Sequence, residues 1–208
     1  MNRLFAILVF CLASTAPALA QTPPQFEVFG GGTWLRADIS PNLAPLGVAQ
    51  LNALGWNMSA TENMNRWFGG TVDFSGAYSR PKITDTLTGA TFSNQVNTSV
   101  YTFTFGPSFA YRKGGRIVLF GRALFGAANA RASTTSKGTL AAGTPAKFSD
   151  TTFAIVSGGG ADFSVSRVIA LRGTADWVRS TFQDFGNDRQ NSLRVSAGIV
   201  FRFGTVER

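Results

Sequence analysis

The chain has no histidine and one cysteine in 208 residues. Without imidazole it lacks the side chain that most often serves as general base or metal ligand near neutral pH. The single thiol, Cys11, lies within an apolar amino-terminal run, so no disulfide can cross-link the remainder and no Cys/His cluster for zinc exists. Acidic residues are sparse and dispersed, which leaves no set of carboxylates spaced as a metal cage. Neither a metal nor a cofactor is expected. Charged residues make up only 14 % of the chain, against about 25 % in soluble domains, too few for a conventional wet surface. Long apolar runs are missing as well: beyond Ala20 nothing approaches the ~18 consecutive apolar residues of a membrane-spanning helix. If this chain crosses a membrane, it does so with strands.

What is present is apolar, aromatic and flexible: 44 % hydrophobic residues, with 19 Phe and 23 Gly. Basic residues outnumber acidic ones, 19 to 11, for a net charge of +8, which favours anionic surfaces such as nucleic acid or phosphorylated lipid head groups. Met1–Ala20 opens with Arg3, continues as the apolar run Leu4–Leu12 and closes on Ala18-Leu19-Ala20. That order of basic, apolar and small residues is the pattern of a cleaved secretory signal, too short to anchor in a bilayer. Phe10 stands where a lipoprotein signal would want a small residue before Cys11, so lipidation is not expected. Export leaves residues 21–208 as a single domain. An exported chain whose basic residues form no run is not expected to bind nucleic acid.

Side chains alternate across a strand, and three stretches alternate cleanly enough to assign faces. In Gly69–Ser79, Val72, Phe74 and Tyr78 oppose Thr71, Asp73 and Ser75. In Asn97–Arg112, Tyr101, Phe103, Phe105, Phe109 and Tyr111 oppose Thr102, Thr104, Ser108 and Arg112. In Ser192–Phe203, Leu193, Val195, Ile199, Phe201 and Phe203 oppose Arg194, Ser196 and Arg202. Val168–Ser180 follows the same rule, with Leu171 and Trp177 opposite Arg172, Thr174 and Asp176. Phe26–Ala37, Leu51–Glu62, Arg116–Ala130 and Thr151–Val165 read as strands whose phase is blurred by glycines or mixed faces.

Eight strands result. Their connections are short at 63–66, 113–115 and 166–167 and long at 38–50, 80–96, 131–150 and 183–190, the alternation of short turns and long outer loops seen in outer-membrane barrels. Lipid offers no water to a strand edge, so such a sheet must close. The expected fold is all-β: an eight-stranded antiparallel up-and-down transmembrane β-barrel. An arginine facing lipid at the midplane costs about 2–4 kcal/mol, so Asp73, Asp162, Arg172, Asp176 and Arg194 should point inward as a polar network filling the lumen. Trp34, Trp56, Trp67, Trp177, Tyr78, Tyr101 and Tyr111 are expected near strand ends as interfacial girdles.

On these residues the chain resembles the small, eight-stranded, OmpA/OmpX-like outer-membrane β-barrel proteins. The last strand carries the most specific likeness: in Ser196-Ala197-Gly198-Ile199-Val200-Phe201-Arg202-Phe203 the placing of Ser196, Gly198, Phe201 and Phe203 looks like the signal read by the outer-membrane assembly machinery. The resemblance implies that machinery as a partner during biogenesis and the outer membrane of a diderm bacterium as the location. It also implies an aromatic at or close to the chain end, whereas Gly204–Arg208 follow Phe203 here.

Catalysis is not expected. Barrel enzymes of this kind rely on histidine, which is absent, and Ser136 beside Lys137 lies in a Thr/Ser-rich stretch that reads as solvated surface. Gly30-Gly31-Gly32 and Gly158-Gly159-Gly160 lack the Lys-Ser/Thr ending of a phosphate loop and suit bends in strands. Arg80, Lys82, Arg131, Lys137, Lys147 and Arg189 fall in or beside the long loops, where they could contact lipopolysaccharide phosphates as well as keep the loops solvated. The leading reading is a non-enzymatic integral barrel with a structural or surface-interaction role in lipid and lipopolysaccharide, its external loop partner unspecified. Two others stay open: a narrow channel for ions or small solutes, and a soluble exported lipocalin-like carrier with its aromatic face turned inward.

Overall fold

Alternation of inward and outward side chains runs through the whole sheet. The computed structural model describes residues 23–38, 50–80, 82–87, 90–113, 115–137, 147–181 and 190–206; the export segment expected over Met1–Ala20 and Arg189 lie outside them. The strands are β1 (Phe26–Asp38), β2 (Gln50–Asn63), β3 (Phe68–Ser79), β4 (Lys82–Leu87), β5 (Ala90–Tyr111), β6 (Ile117–Lys137), β7 (Lys147–Ser164), β8 (Ile169–Ser180) and β9 (Gln190–Phe203). Each pairs antiparallel with its neighbours in the order β3-β2-β1-β9-β8-β7-β6-β5-β4, and β3 also pairs with β5, which closes an eight-stranded barrel. No helix is found among the described residues.

The ninth strand corrects the expected loop at 80–96. β4 folds back on the upper part of β5, from Lys82 opposite Gln95 to Leu87 opposite Ala90. The expected loop at 131–150 is likewise shortened, because β6 runs to Lys137 and β7 starts at Lys147. Lys82, Arg131, Lys137 and Lys147 therefore stand in strands rather than loops. Thr, Ser and Val are at home on a pleated sheet, and a paired strand satisfies backbone groups that a loop would leave to water.

Register partners followed once around the wall run Gln190, Ser180, Ala154, Gly126, Thr104, Asp73, Ser59, Phe29 and back to β9 at Val200. The return is displaced by ten residues, from 190 to 200. With eight strands and standard sheet spacings, that stagger sets a tilt of about 41° and a backbone radius of about 8 Å. The lumen is wide enough for side chains and too narrow to stay empty.

Two of the short turns are built alike. Asn65 Oδ1 accepts hydrogen bonds from the backbone N–H of Trp67 and Phe68 at 2.9 and 2.8 Å, and Ser166 Oγ accepts from Val168 and Ile169 at 3.3 and 3.0 Å. A side-chain oxygen thus replaces the backbone acceptor in each tight reversal. Gly115, in the turn from β5 to β6, has φ of 129°, which other residues rarely adopt.

Outward positions form the apolar belt. Phe103, Phe105, Phe109, Leu119, Leu171, Ile199 and Phe201 are exposed, while Asp73, Thr104, Asp162, Asp176 and Arg194 are buried. This overturns the carrier reading, which needs the aromatic face inside. The weak phase of β1, β6 and β7 has a physical cause: their inward series includes Phe29, Leu35, Val118, Leu124 and Val156, so both faces are partly apolar and alternation fades from the sequence.

Gly158 lies between Arg122 on β6 and Asp176 on β8 in the register. A Cβ there would come within 2.6 Å of Asp176 Cα. Gly158→Ala is expected to destabilise the barrel by about 1–3 kcal/mol, read as a lower urea midpoint of the protein folded in detergent micelles.

Candidate functional site

Two places gather polar chemistry: the lumen, and the part of the sheet that rises past the apolar belt. The lumen holds two tiers of ion pairs. In the upper tier Arg122 donates to Asp176 through Nε and Nη2 at 3.0 and 2.7 Å and meets Asp73 at 3.2 Å. Arg194 donates to Asp73 at 2.8 Å and to Asp176 at 3.0 Å. Two arginines and two aspartates thereby close a ring, extended by Asn57 to Asp73 at 2.9 Å and Arg194 to Ser75 at 3.0 Å. The register explains how: Arg122, Gly158, Asp176 and Arg194 occupy one cross-strand row, and the missing side chain at Gly158 lets the guanidinium of Arg122 pass over β7.

In the lower tier, toward the short turns, Arg172 grips Asp162 at 2.6 and 2.8 Å and also binds Glu27. Arg112 meets Glu27 at 3.0 Å, and Arg202 meets Asp162 at 2.9 Å and Ser164 at 2.7 Å. The Arg172 guanidinium also lies 4.5 Å from the centre of the Phe120 ring. A cavity of about 20 Å³ remains beside Glu27, Arg112, Arg122 and Arg172, room for a water or two. Phe29, Leu124, Val156 and Val200 are also fully buried, so the plug is part ionic and part apolar.

Of the residues expected in the lumen, the upper ring takes Asp73, Asp176 and Arg194, and the lower tier takes Asp162 and Arg172. Glu27, Arg112, Arg122 and Arg202 complete the tiers and were not among those expected. Arg112 and Arg202 were detectable by parity alone. Glu27 and Arg122 were hidden because Phe29, Phe120 and Leu124 share their inward faces.

The belt has aromatic borders, though not always at strand ends. Trp67 stacks on Phe109 at 6.0 Å near the short turns. On the other border Trp56 Nε1 donates to Tyr78 Oη at 3.3 Å, Tyr78 meets Tyr101 edge-on at 5.9 Å, and Trp177 Nε1 donates to Asn191 Oδ1 at 3.2 Å. Trp56 and Tyr101 sit well inside β2 and β5, which corrects their expected position. From Phe109 to Tyr101 the wall rises roughly 20 Å, close to the ~25 Å apolar band of outer-membrane barrels.

Beyond that border the sheet reverses its polarity. Trp56, Gly76, Tyr101, Asn129 and Thr151 form one cross-strand row. Below it the outward series reads Phe103, Ala127 and Phe153; above it Ser99, Asn97, Arg131, Ser133 and Ser149 take the same parity. Asn129 donates to Thr151 Oγ1 at 2.7 Å, and Arg131 Nε donates to Asn129 Oδ1 at 3.0 Å. Lys82 pairs with Gln95, Lys137 with Ser93 and Lys147 with Ser133, which gives all three strand positions the parity of Arg131. Asp85 and Asp150 have the opposite parity. Arg80 is exposed in the connection from β3 to β4. Ser136 and Lys137 are adjacent positions on β6.

On β9, Ser196 donates to Thr33 at 2.9 Å within the lumen, Gly198 faces Gly31 across the seam with β1, and Phe201 and Phe203 are exposed on the belt. Gly30-Gly31-Gly32 and Gly158-Gly159-Gly160 lie within β1 and β7.

A closed antiparallel barrel with an ionic lumen, an apolar outer belt and interfacial aromatics is a small membrane-spanning barrel. The sequence matches the family model for the outer membrane protein beta-barrel domain over residues 5–201, and the chain belongs to that family; its place is the outer membrane. Among solved structures it resembles Ail, the attachment invasion locus protein of Yersinia pestis, in complex with the heparin analogue sucrose octasulfate. The identity is 19 %, the TM-score 0.56, and the likeness covers 86 % of this chain and 99 % of that one. Neisserial surface protein A is 13 % identical with a TM-score of 0.55, covering 86 % and 97 %. At these identities the likeness is one of fold. The search of curated proteins finds no match.

Removing one member of the upper ring leaves a buried charge without its partner, which costs about 3–5 kcal/mol. Asp176→Asn is expected to lower the urea midpoint strongly, and Arg131→Gln, outside the lumen, to leave it nearly unchanged.

Proposed function

We propose that this protein is a non-enzymatic envelope barrel whose task is surface interaction, and that the β4–β7 sheet beyond the belt recognises anionic saccharide groups. One observation carries the reading: Lys82, Arg131, Lys137 and Lys147 share one parity on that sheet, and no acidic residue of β4–β7 beyond the belt shares it. The lumen arginines each meet a carboxylate, whereas Arg131 meets the neutral amide of Asn129. The filled lumen supports a structural rather than a conducting role for the barrel. Ail, similar in fold, was solved with a sulfated saccharide. Replacing the four basic residues by glutamine is expected to lower the salt concentration at which the detergent-solubilised protein elutes from immobilised heparin. Elution at the same salt would rule the reading out.

The proposal extends to biogenesis. Ser196, Gly198, Phe201 and Phe203 serve as the signal read by the assembly machinery, with the cleaved segment over Met1–Ala20 directing export. Phe203→Ala is expected to slow insertion into vesicles carrying that machinery while leaving spontaneous folding into detergent micelles at its normal rate; equal slowing in both would assign Phe203 to packing alone.

A further inference from the structure

We infer that the lower tier of the lumen binds one small monovalent anion of chloride size, in the cavity beside Arg112, Arg122 and Arg172. The site is separate from the face proposed for saccharides and does not depend on it.

Charge is the first argument. The upper ring is balanced, with Arg122 and Arg194 against Asp73 and Asp176. The lower tier is not: among the described residues Arg112, Arg172 and Arg202 meet only Glu27 and Asp162. These side chains are between 1 and 9 % exposed, so water screens the surplus cation poorly. A buried charge without a counter-ion is costly, and an anion drawn from solution supplies what the chain does not.

Hydrogen bonding is the second. Glu27 and Asp162 also border the cavity, but all four of their oxygens already accept from guanidinium groups. Glu27 is taken by Arg112 and Arg172, and Asp162 by Arg172 and Arg202. Donors are left over. Arg172 uses Nε and Nη2 in these pairs, which leaves its Nη1, and Arg202 Nε is buried with no hydrogen-bond partner. Thr61 and Thr71, on the cavity wall, share one hydrogen bond at 2.8 Å. Two hydroxyls need one proton for it, so a second remains to donate. A wall richer in spare donors than in spare acceptors suits a halide, which only accepts, better than water, which also donates.

Size and access are the third. The cavity of about 20 Å³ exceeds the ~10–15 Å³ that one water needs and is too small for phosphate, sulfate or a carboxylate. The nearer mouth is basic. Among the described residues Arg66, Lys113, Arg116 and Arg167 stand at the short turns, where Glu62 is the one exposed acid. Such a field draws anions toward that end of the lumen.

The test uses the full mature chain folded in detergent micelles, in sodium chloride or sodium gluconate at equal ionic strength. The urea midpoint is expected to rise by about 0.5 M in chloride at tenfold its Kd, and then to saturate. Arg112→Gln, which removes the surplus cation, should abolish the difference between the salts. Arg179→Gln, exposed near the far end of β8, should keep it. Each variant is compared with itself in the two salts, so a lower overall stability does not obscure the result. Crystals of the unaltered chain grown in sodium bromide should show a bromine anomalous peak in this cavity, a readout that needs no variant to fold. Equal midpoints in the two salts, a difference that survives in Arg112→Gln, or bromine as an adventitious ion only, on the outer surface, overturns the inference.

Discussion

Everything in this barrel follows from the fact that backbone N–H and C=O groups find no water within lipid. A sheet placed there must pair its first and last strands, and β1 joins β9 over Phe26–Ala37 to do so. Closure with eight strands and a ten-residue stagger sets the tilt and the radius. The radius in turn leaves a lumen that side chains have to fill. Its contents are therefore a consequence of closure as much as of any activity.

The filling is a register device. A buried ion pair adds little stability over a well-packed apolar pair, because desolvation offsets most of the attraction. Its effect is large when a wrong arrangement is the comparison. Slipping one strand by a single residue would turn its inward set toward lipid, and an exposed Arg172 or Arg194 at midplane would cost about 2–4 kcal/mol each. Each arginine also needs carboxylates on particular strands: Arg194 on β9 requires Asp73 from β3 and Asp176 from β8. The ionic tiers thus tie distant strands to one alignment, and Gly158 keeps the space that allows the tie.

The same wall changes its solvent along its height. Within the belt the outside is Phe, Leu and Ile and the inside Arg and Asp; past the Tyr101–Asn129–Thr151 row the described outward series becomes Ser99, Asn97, Arg131, Ser133 and Ser149. The paired strands β5, β6 and β7 carry both patterns in one register. The strands therefore outlast the membrane, which places the interfacial aromatics of β2 and β5 inside strands instead of at their ends. It also puts the basic positions on a sheet, where register sets their spacing, rather than on loops.

Strand content, closure and the inward direction of Asp73, Asp162, Arg172, Asp176 and Arg194 could be read from the sequence, because lipid on one side and charge on the other sharpen a period of two. Glu27 and Arg122 could not, since Phe29, Phe120 and Leu124 lend their strands two apolar faces. Nor could β4, whose pairing depends on the upper half of β5 being present as a strand. Which arginine meets which carboxylate was decided by tertiary structure alone: partners such as Glu27 and Arg172 are 145 residues apart, and only the stagger of the closed barrel brings them together. The sequence by itself determined which face each side chain takes, through the fixed alternation of the β-strand. Tertiary structure decided who stands opposite whom, because register is a property of paired strands and not of any one of them.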